Sequence, residues 1–316
     1  MQTIANLKER DRVQEVYLVK NVVHARQKSG SEYISVVLAD KTGTVDGKIW
    51  DPDSPGIEDV EPYDYAHVVG EVTVFQGQNQ IKITRIYRAV EGEYVPEDYL
   101  PVSPYDIEEM YTRLLALSHS VKQTHLRQLL DVFFENAAFK KMFSQASAAK
   151  SLHHAFVGGL LQHTLAVTEL CDILAQRYPV LNRDLLITAA LFHDVGKVKE
   201  LSRFPMNDYT DDGQLLGHIA MGYEMISSGI RGIEGFPPAL ASELKHCILA
   251  HHGELTYGSP KTPALAEAVA LHMADNMDAK MQHMTEAFET IEPTDQSWQK
   301  KDFMLDGSFR RTGHYE

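Results

Sequence analysis

The chain has 316 residues, a formal net charge of −14 and a hydrophobic content of 44%, which is the composition of a globular protein with about two domains. No apolar run reaches the roughly 18 residues of a membrane span, and the charged first dozen residues lack the apolar segment of an export signal. Two cysteines cannot form a disulfide framework, so we expect a reducing, cytoplasmic location, and the acidic balance argues against a protein that coats polyanions.

The first 90 residues have the pattern of β-strands. Runs rich in β-branched and aromatic residues occur at 13–19, which continues into 21–25, and at 33–39, 45–50, 65–75 and 80–87, with Gly, Asn and Asp as punctuation. This spacing predicts a small barrel or sandwich. Five strands in so short a segment is the size of an OB-fold, so we predict an OB-fold domain over residues 1–90.

The pattern changes after this segment. Residues 91–106 carry three prolines and no periodicity, and we interpret them as a linker. Helical periodicity then occurs at 107–118, 125–136, 160–178, 183–193, 220–228, 238–251 and 264–288. We predict a helical domain over 107–290 and a loose polar tail over 291–316. The predicted fold class is a small all-β OB-fold barrel followed by an all-α helical bundle.

The helical half contains a spaced series of histidines and aspartates, which we call the His/Asp ladder: His163, His193, Asp194, His218, His251, His252 and Asp275. Gaps of roughly 25 to 33 residues place successive positions on different helices, which is how a helical bundle builds a metal site. The histidines lie beside small or apolar residues, so we expect them to face a core. A buried imidazole needs a partner there, and a metal ion is an efficient one.

The donor types indicate which metals would bind. Imidazole and carboxylate together suit Mn, Fe, Co or Zn better than Mg or Ca, and the two oxygens of Asp194 suffice to bridge two cations. Of the adjacent pair, we expect His251 to be the ligand and His252 to contact phosphate, although the sequence leaves this choice open. Four further histidines are interpreted as ordinary core residues, with a place in the pocket wall as the alternative: His153, His154, His246 and His272. Asp278, one turn beyond Asp275, is interpreted as a supporting or surface acid.

The block His193-Asp-Val-Gly-Lys197 resembles the signature of the HD superfamily of metal-dependent phosphohydrolases. The whole ladder resembles the extended, two-metal pattern of that superfamily. The chemistry that this permits is two-metal hydrolysis of a phosphoester, with Asp194 joining the metals and the metals activating a water. Asp194 and Lys197 are the expected catalytic residues, and Lys197 would neutralise charge that develops on the phosphoryl oxygens.

An OB-like barrel favours a polymeric substrate, because such barrels hold single strands by aromatic stacking and a basic groove. The candidate stacking residues are Tyr17, Tyr33, Trp50, Phe75 and Tyr87, and about half of them are expected to be core. The candidate phosphate contacts are Lys20, Arg26, Lys28, Lys48, Lys82, Arg85 and Arg88. Residues 1–95 carry eleven Lys and Arg against fifteen Asp and Glu, so we expect weak rather than tight binding away from the active site.

The combination of both halves resembles the YhaM family of bacterial 3′-to-5′ exoribonucleases. The resemblance covers about residues 10–290, and its motifs are the blocks at 43–51, 153–164, 193–197, 249–254 and 274–278. It implies Mn-supported removal of nucleoside 5′-monophosphates from the 3′ end of single-stranded RNA, with some activity on single-stranded DNA. Some members are also described as binding a plasmid replication enhancer. We further expect a homo-oligomer.

Two alternatives belong to other functional classes. An HD-type phosphodiesterase that acts on cyclic dinucleotides or nucleotides can use the same two-metal core, but the HD-GYP type of cyclic-dinucleotide enzyme carries Gly-Tyr-Pro after the His-His pair. Here His251-His is followed by Gly-Glu-Leu-Thr-Tyr-Gly-Ser-Pro, which departs from that motif. A DNA-binding replication or regulatory factor with a vestigial core would not need every position of the ladder. The exonuclease is therefore the favoured interpretation.

Overall fold

The computed structural model describes residues 2–26, 30–150, 154–289, 291–292 and 294–313. Two of the candidates above, Lys28 and His153, lie outside these ranges. The chain divides into two compact units, residues 1–102 and 103–316.

The first unit is a five-stranded closed barrel. Its strands are β1 (Arg12–Arg26), β2 (Glu32–Asp40), β3 (Gly43–Ile49), β4 (Tyr65–Phe75) and β5 (Gln78–Arg88). They pair in the order β1-β2-β3-β5-β4, and β1 closes the barrel by pairing with β4. All pairs are antiparallel except β3 with β5. This is the Greek-key barrel of an OB-fold, as the sequence predicted.

A bulge in β1 helps to close the barrel, and side chains from all five strands fill it. The runs predicted at 13–19 and 21–25 are one strand, and its register against β2 shifts between Val19 and Asn21. Such a bulge bends a strand, which lets it pair with two different neighbours along its length. Alternate side chains of all five strands point inward and form one apolar core, in which Tyr17 is fully buried.

The second unit is helical. Its helices are α1 (Ile107–His119), α2 (Thr124–Phe134), α3 (Ala137–Gln145), α4 (Gly159–Arg177), α5 (Arg183–Phe192), α6 (Lys197–Glu200), α7 (Asp211–Arg231), α8 (Pro238–Ala250) and α9 (Ala266–Glu289). None of the described helices is long and apolar enough to span a membrane.

Several helices in this unit begin where a side chain accepts hydrogen bonds from free backbone N–H groups. Asp106 caps α1, Asn136 caps α3 and Asn182 caps α5 in this way. Helix α3 was not predicted, since only two residues separate it from α2. Helix α7 begins nine residues before the predicted start at 220, because Gly213 and Gly217 weaken the local helical signal.

The helical core is built around α4 and α5, which pack against each other. All residues of α5 from Leu185 to Phe192 are buried, so this helix is surrounded on every side. The ring of Phe192, in α5, packs against Phe134, and Phe134 packs edge to face on both Phe139 and Phe143. The carboxyl end of α5 is therefore held firmly, and the pair His193-Asp194 follows there.

A close backbone approach joins the segment after α5 to α7. A Cβ on Gly196 would lie 2.0 Å from the carbonyl oxygen of His218 and 2.7 Å from the backbone nitrogen of Gly222. Only glycine permits this contact, because both neighbours are main-chain atoms of a packed helix. The contact fixes the position of His218 relative to Asp194.

We expect Gly196→Ala to lower the free energy of unfolding by about 1–3 kcal/mol, since the added methyl group must push two backbones apart. Urea denaturation followed by circular dichroism measures this change. Gly307→Ala is the matched control, because a Cβ there would meet only Leu305 O at 3.8 Å. Equal stability of the two variants would show that the close approach is not needed.

Candidate metal centre

The His/Asp ladder converges on one point of the helical unit. His163 lies on α4, His218 on α7 and Asp275 on α9, whereas the other ladder positions directly follow helix ends. His193 and Asp194 come after α5, and His251 and His252 come after α8. His193, His251 and Asp194 are at most 2% exposed. Five elements therefore supply side chains to a single buried cluster.

One side of the cluster gathers around one oxygen of Asp194. The Nε2 atom of His163 lies 3.4 Å from Asp194 Oδ2 and 3.2 Å from Asp275 Oδ1. The Nε2 atom of His193 lies 3.5 Å from the same Asp194 Oδ2 and 3.1 Å from His163 Nε2. Two imidazole nitrogens and two carboxylate oxygens thus surround a common volume.

The other side gathers around the second oxygen. Asp194 Oδ1 lies 3.4 Å from His218 Nε2 and 3.6 Å from His251 Nε2. Within the described residues, these three atoms are buried and have no hydrogen-bond partner. Unpaired buried polar atoms are costly. Three that face one another are explained by a cation between them, so the residues fit a metal ion.

In two of the histidines, the Nδ1 atom faces away from the cluster and is hydrogen-bonded to a carbonyl at the end of the preceding helix. His193 Nδ1 donates to Ala190 O at 2.7 Å, and His251 Nδ1 donates to Ile248 O at 2.7 Å. A carbonyl only accepts, so Nδ1 carries the proton and Nε2 presents its lone pair to the centre. Burial lowers the pKa of His193 to about 4, which keeps the ring neutral.

The outer nitrogens of the other two histidines are tied to carboxylates. His163 Nδ1 donates to Asp278 Oδ2 at 2.7 Å, and His218 Nδ1 donates to Glu200 Oε1 at 3.0 Å. Glu200 Oε1 also accepts from the backbone N–H of His218 at 2.9 Å. Carboxylates in this role orient a metal-binding imidazole and raise its basicity.

Glu200 is a functional residue that sequence reasoning missed. It reaches His218 because Gly217, inside α7, has φ 73° and ψ 157°, which breaks the helix one residue before the histidine. Asp278 was predicted to be a supporting or surface acid. It supports the cluster, because its carboxylate accepts the hydrogen bond from His163 Nδ1. It also accepts from Nε2 of His154 at 3.0 Å, and His154 is buried.

The pKa values show which charge the centre favours. Burial alone lowers the pKa of His163, but hydrogen bonds to three carboxylates, that of Asp194 foremost, outweigh it and raise that pKa well above its usual value. Burial would raise the pKa of Asp194, but the charge of Lys197 and a hydrogen bond from His163 outweigh it and hold that pKa well below its usual range. The centre keeps its carboxylates ionised and favours a positive charge between them.

A cavity of about 480 Å³ opens onto the centre. Its walls include the ladder residues His163, Asp194, His252 and Asp275, together with Ala148, Lys197, Tyr257, His272, Asn276, Ala279 and Met304. Lys197 Nζ donates to Asp194 Oδ2 at 2.6 Å, and the side chain is 16% exposed. Burial lowers the pKa of Lys197, but the charge of Asp194 outweighs this effect and raises it, so the lysine is a cation in the cavity wall.

The adjacent histidines differ in position. His251 is fully buried with Nε2 toward Asp194, whereas His252 lines the cavity and donates from Nδ1 to Tyr257 O at 3.0 Å. Donor atoms of both residues and of His218 lie within 4.8 Å of one another. Of the other histidines, His272 lines the cavity.

His246 plays a structural part instead. Its Nε2 accepts a hydrogen bond from the backbone N–H of Ala264 at 2.9 Å. The ring thus ties α8 to the segment that leads into α9, which agrees with its interpretation as an ordinary histidine.

The barrel carries its own candidate residues. Tyr33 and Trp50 stack with ring centroids 5.2 Å apart, and Lys48 Nζ lies 5.8 Å from the Tyr33 centroid. Trp50 is 44% exposed, and Arg85 is exposed on β5. Tyr17 is instead buried in the core, where its hydroxyl donates to Gln2 O.

The two remaining candidate stacking residues, Phe75 and Tyr87, are exposed, and some of the candidate basic residues are already paired. Phe75 is 61% exposed, and Tyr87 stacks on His67. Arg26 pairs with Glu32 at 2.8 Å, and Arg88 pairs with Asp64 at 2.8 Å. These two arginines are therefore less suited to hold phosphate than Lys48.

Among solved structures, the chain is similar to the second OB-fold domain of replication protein A from Methanococcus maripaludis. That domain is 21% identical, covers 29% of this chain and 97% of its own, and gives a TM-score of 0.24. This score is too low to support an argument, and the fold of the barrel follows from its strand order alone.

Two sequence comparisons identify the family. The family model of the HD domain matches residues 160–280, the segment that holds the whole ladder. A 3′-5′ exoribonuclease YhaM of Geobacillus sp. (strain WCH70) is 35% identical over 88% of this chain and 86% of its own length. Those of Bacillus subtilis (strain 168) and Listeria monocytogenes serotype 4b are each 32% identical, over 90% and 87% of this chain and 90% and 88% of their own. The resemblance predicted from the sequence is confirmed, and this chain belongs to the YhaM family of 3′-5′ exoribonucleases.

Proposed function

We propose that this protein is a 3′-5′ exoribonuclease that shortens single-stranded RNA by hydrolysing its terminal phosphodiester bond. The observation that carries the proposal is the position of Asp194, whose two oxygens face two separate groups of imidazoles beside a cavity of nucleotide size. Membership of the YhaM family supports both the 3′-to-5′ direction of degradation and RNA as the substrate.

The HD domain belongs to a superfamily of metal-dependent phosphohydrolases, so the chain binds a divalent metal. We propose two ions. Asp194 Oδ2 with His163, His193 and Asp275 would hold one, and Asp194 Oδ1 with His218 and His251 would hold the other. Manganese fits this mixture of imidazole and carboxylate donors, and Co, Fe or Zn are the alternatives.

When bound, divalent ions polarise the phosphate and lower the pKa of water. In hydrolysis, the oxygen of a water molecule bonds to the phosphorus of the 3′-terminal nucleotide. The bond between that phosphorus and the 3′ oxygen of the preceding nucleotide breaks, and this oxygen takes up a proton. The products are a nucleoside 5′-monophosphate and RNA with a new 3′ hydroxyl. Lys197, a cation in the cavity wall, is placed to neutralise charge on the phosphoryl oxygens. His252 lines the same wall and is the second candidate for a phosphate contact.

Selection of single strands is proposed for the barrel. Tyr33 and Trp50 form a stacked, partly exposed aromatic platform beside Lys48, and Arg85 is exposed on β5. Bases stack on such rings only when they are unpaired. The platform therefore favours single-stranded RNA, and single-stranded DNA by the same contacts. Cytoplasmic location and a homo-oligomer remain predictions.

The activity is tested with 5′-labelled single-stranded RNA and Mn²⁺. We expect a descending ladder of products on an open 3′ end and none on 3′-blocked RNA. Asp194→Ala should slow turnover by roughly a thousand-fold or more, since it removes the central charge of the site. Asp172→Ala is the control, because that acid pairs with Arg183. Turnover of cyclic dinucleotides without RNA shortening, or binding without turnover that Asp194→Ala leaves unchanged, would overturn the proposal.

The metal number is tested by calorimetric titration of the metal-free protein with Mn²⁺. We expect two equivalents for the wild type and one each for His163→Ala and His218→Ala, because each variant loses a ligand of a different ion. Glu200→Gln should still bind two equivalents of Mn²⁺. The affinity for the ion held by His218 should fall by about 10- to 100-fold, since the carboxylate of Glu200 orients His218. A single equivalent in the wild type contradicts the two-ion proposal.

The platform is tested by the affinity for single-stranded RNA, measured by fluorescence anisotropy. Trp50→Ala should weaken binding by roughly 5- to 100-fold, the effect of losing one base-stacking ring. Trp298→Ala is the control, because that tryptophan is 70% exposed but lies in the other unit. Equal losses in both variants would show that Trp50 has no special part in binding.

A further inference from the structure

The segment that follows α9 does not extend away from the helical unit. Asp302 accepts from Nε2 of His283 at 2.8 Å, and both side chains are 16% exposed. Arg311 donates to the backbone carbonyl of Phe288, and its guanidinium lies 4.7 Å from the Phe288 ring. The residues predicted as a loose tail are thus attached to α9 at two points.

These attachments direct one residue of the segment back to the cavity. Asp275, Ala279 and His283 are four residues apart on α9, so they lie along one face of the helix. Asp275 and Ala279 line the cavity, and His283 holds Asp302. Asp302 Oδ1 also accepts from the backbone N–H of Met304 at 2.9 Å, and Met304 is part of the cavity wall.

The wall around Met304 suits a nucleobase. Tyr257 contributes an aromatic ring that is 64% exposed, Asn276 contributes an amide, and the volume of about 480 Å³ can take one nucleotide. Thioethers make favourable contacts with aromatic rings and adapt to rings of different size. A contact of this kind holds any base, which an enzyme that shortens RNA of mixed sequence requires.

We propose that Met304, held by the Asp302–His283 pair, contacts the base of the 3′-terminal nucleotide and forms part of its binding site. This inference rests on the proposed exoribonuclease activity and adds a substrate contact from outside the segment that the HD family model matches. Met304 touches the substrate in this account, whereas Asp302 and His283 are positioning residues.

The test compares RNA with a normal 3′-terminal base and RNA with an abasic 3′-terminal residue. Affinity is measured by fluorescence anisotropy on oligonucleotides whose terminal linkage is a phosphorothioate. This linkage resists hydrolysis, so the RNA stays intact while binding is measured. Met304→Ala should weaken binding of normal RNA by roughly 3- to 10-fold, the size of one sulfur–aromatic contact, and leave binding of abasic RNA unchanged. Met304→Leu should retain most of the affinity. Met281→Ala, a methionine on α9 that is 57% exposed, is the control.

The anchoring pair is tested in the same assay. Asp302→Ala should weaken binding of normal RNA by the same factor, and adding Met304→Ala should weaken it no further, because both changes remove one contact. Asp295→Ala, in the same segment, is the matched control. Equal loss by Met304→Ala on normal and abasic RNA, no loss on either, or full additivity with Asp302→Ala would overturn the proposal. Failure of the exoribonuclease proposal would appear separately, as wild-type protein that leaves unmodified RNA uncut.

Discussion

The structure depends on one buried carboxylate. Asp194 is 2% exposed, and each of its oxygens faces two imidazole nitrogens at 3.4–3.6 Å. A carboxylate this deep is stable only with positive charge around it. Lys197 supplies part of that charge at 2.6 Å, and a divalent metal held by Asp194 and the histidines would supply the rest.

The surrounding fold orients four imidazole rings around this carboxylate. Two of them are fixed through Nδ1 by carbonyls at helix ends, and two by carboxylates that belong to other helices. The glycines take part as well, since Gly196 permits the close approach of two backbones and Gly217 breaks α7 before His218. The side chains of a site assembled from five elements are therefore oriented by the protein itself, as catalysis by positioned charges requires.

The sequence predicted much of this because the strongest signals are local. Short β-rich runs with Gly, Asn and Asp between them identified the five-stranded barrel, and the ladder was visible because each histidine lies beside small or apolar residues. Signals that depend on tertiary structure were missed. Glu200 becomes a partner of His218 only through the kink at Gly217. Met304 lies in a polar segment of weak periodicity, and only the docking of Asp302 on His283 brings it to the cavity. Tyr17 was a candidate stacking residue because its side chain is aromatic, but at its position on β1 the ring points into the core.

In the proposed site, Asp194 joins two metal ions, one on each oxygen. An anomalous-difference map from crystals of the full chain grown with Mn²⁺ tests this arrangement most directly. We expect two peaks, one bounded by His163, His193 and Asp275 and the other by His218 and His251, with Asp194 contacting both. A single peak, or two peaks of which only one contacts Asp194, would contradict it.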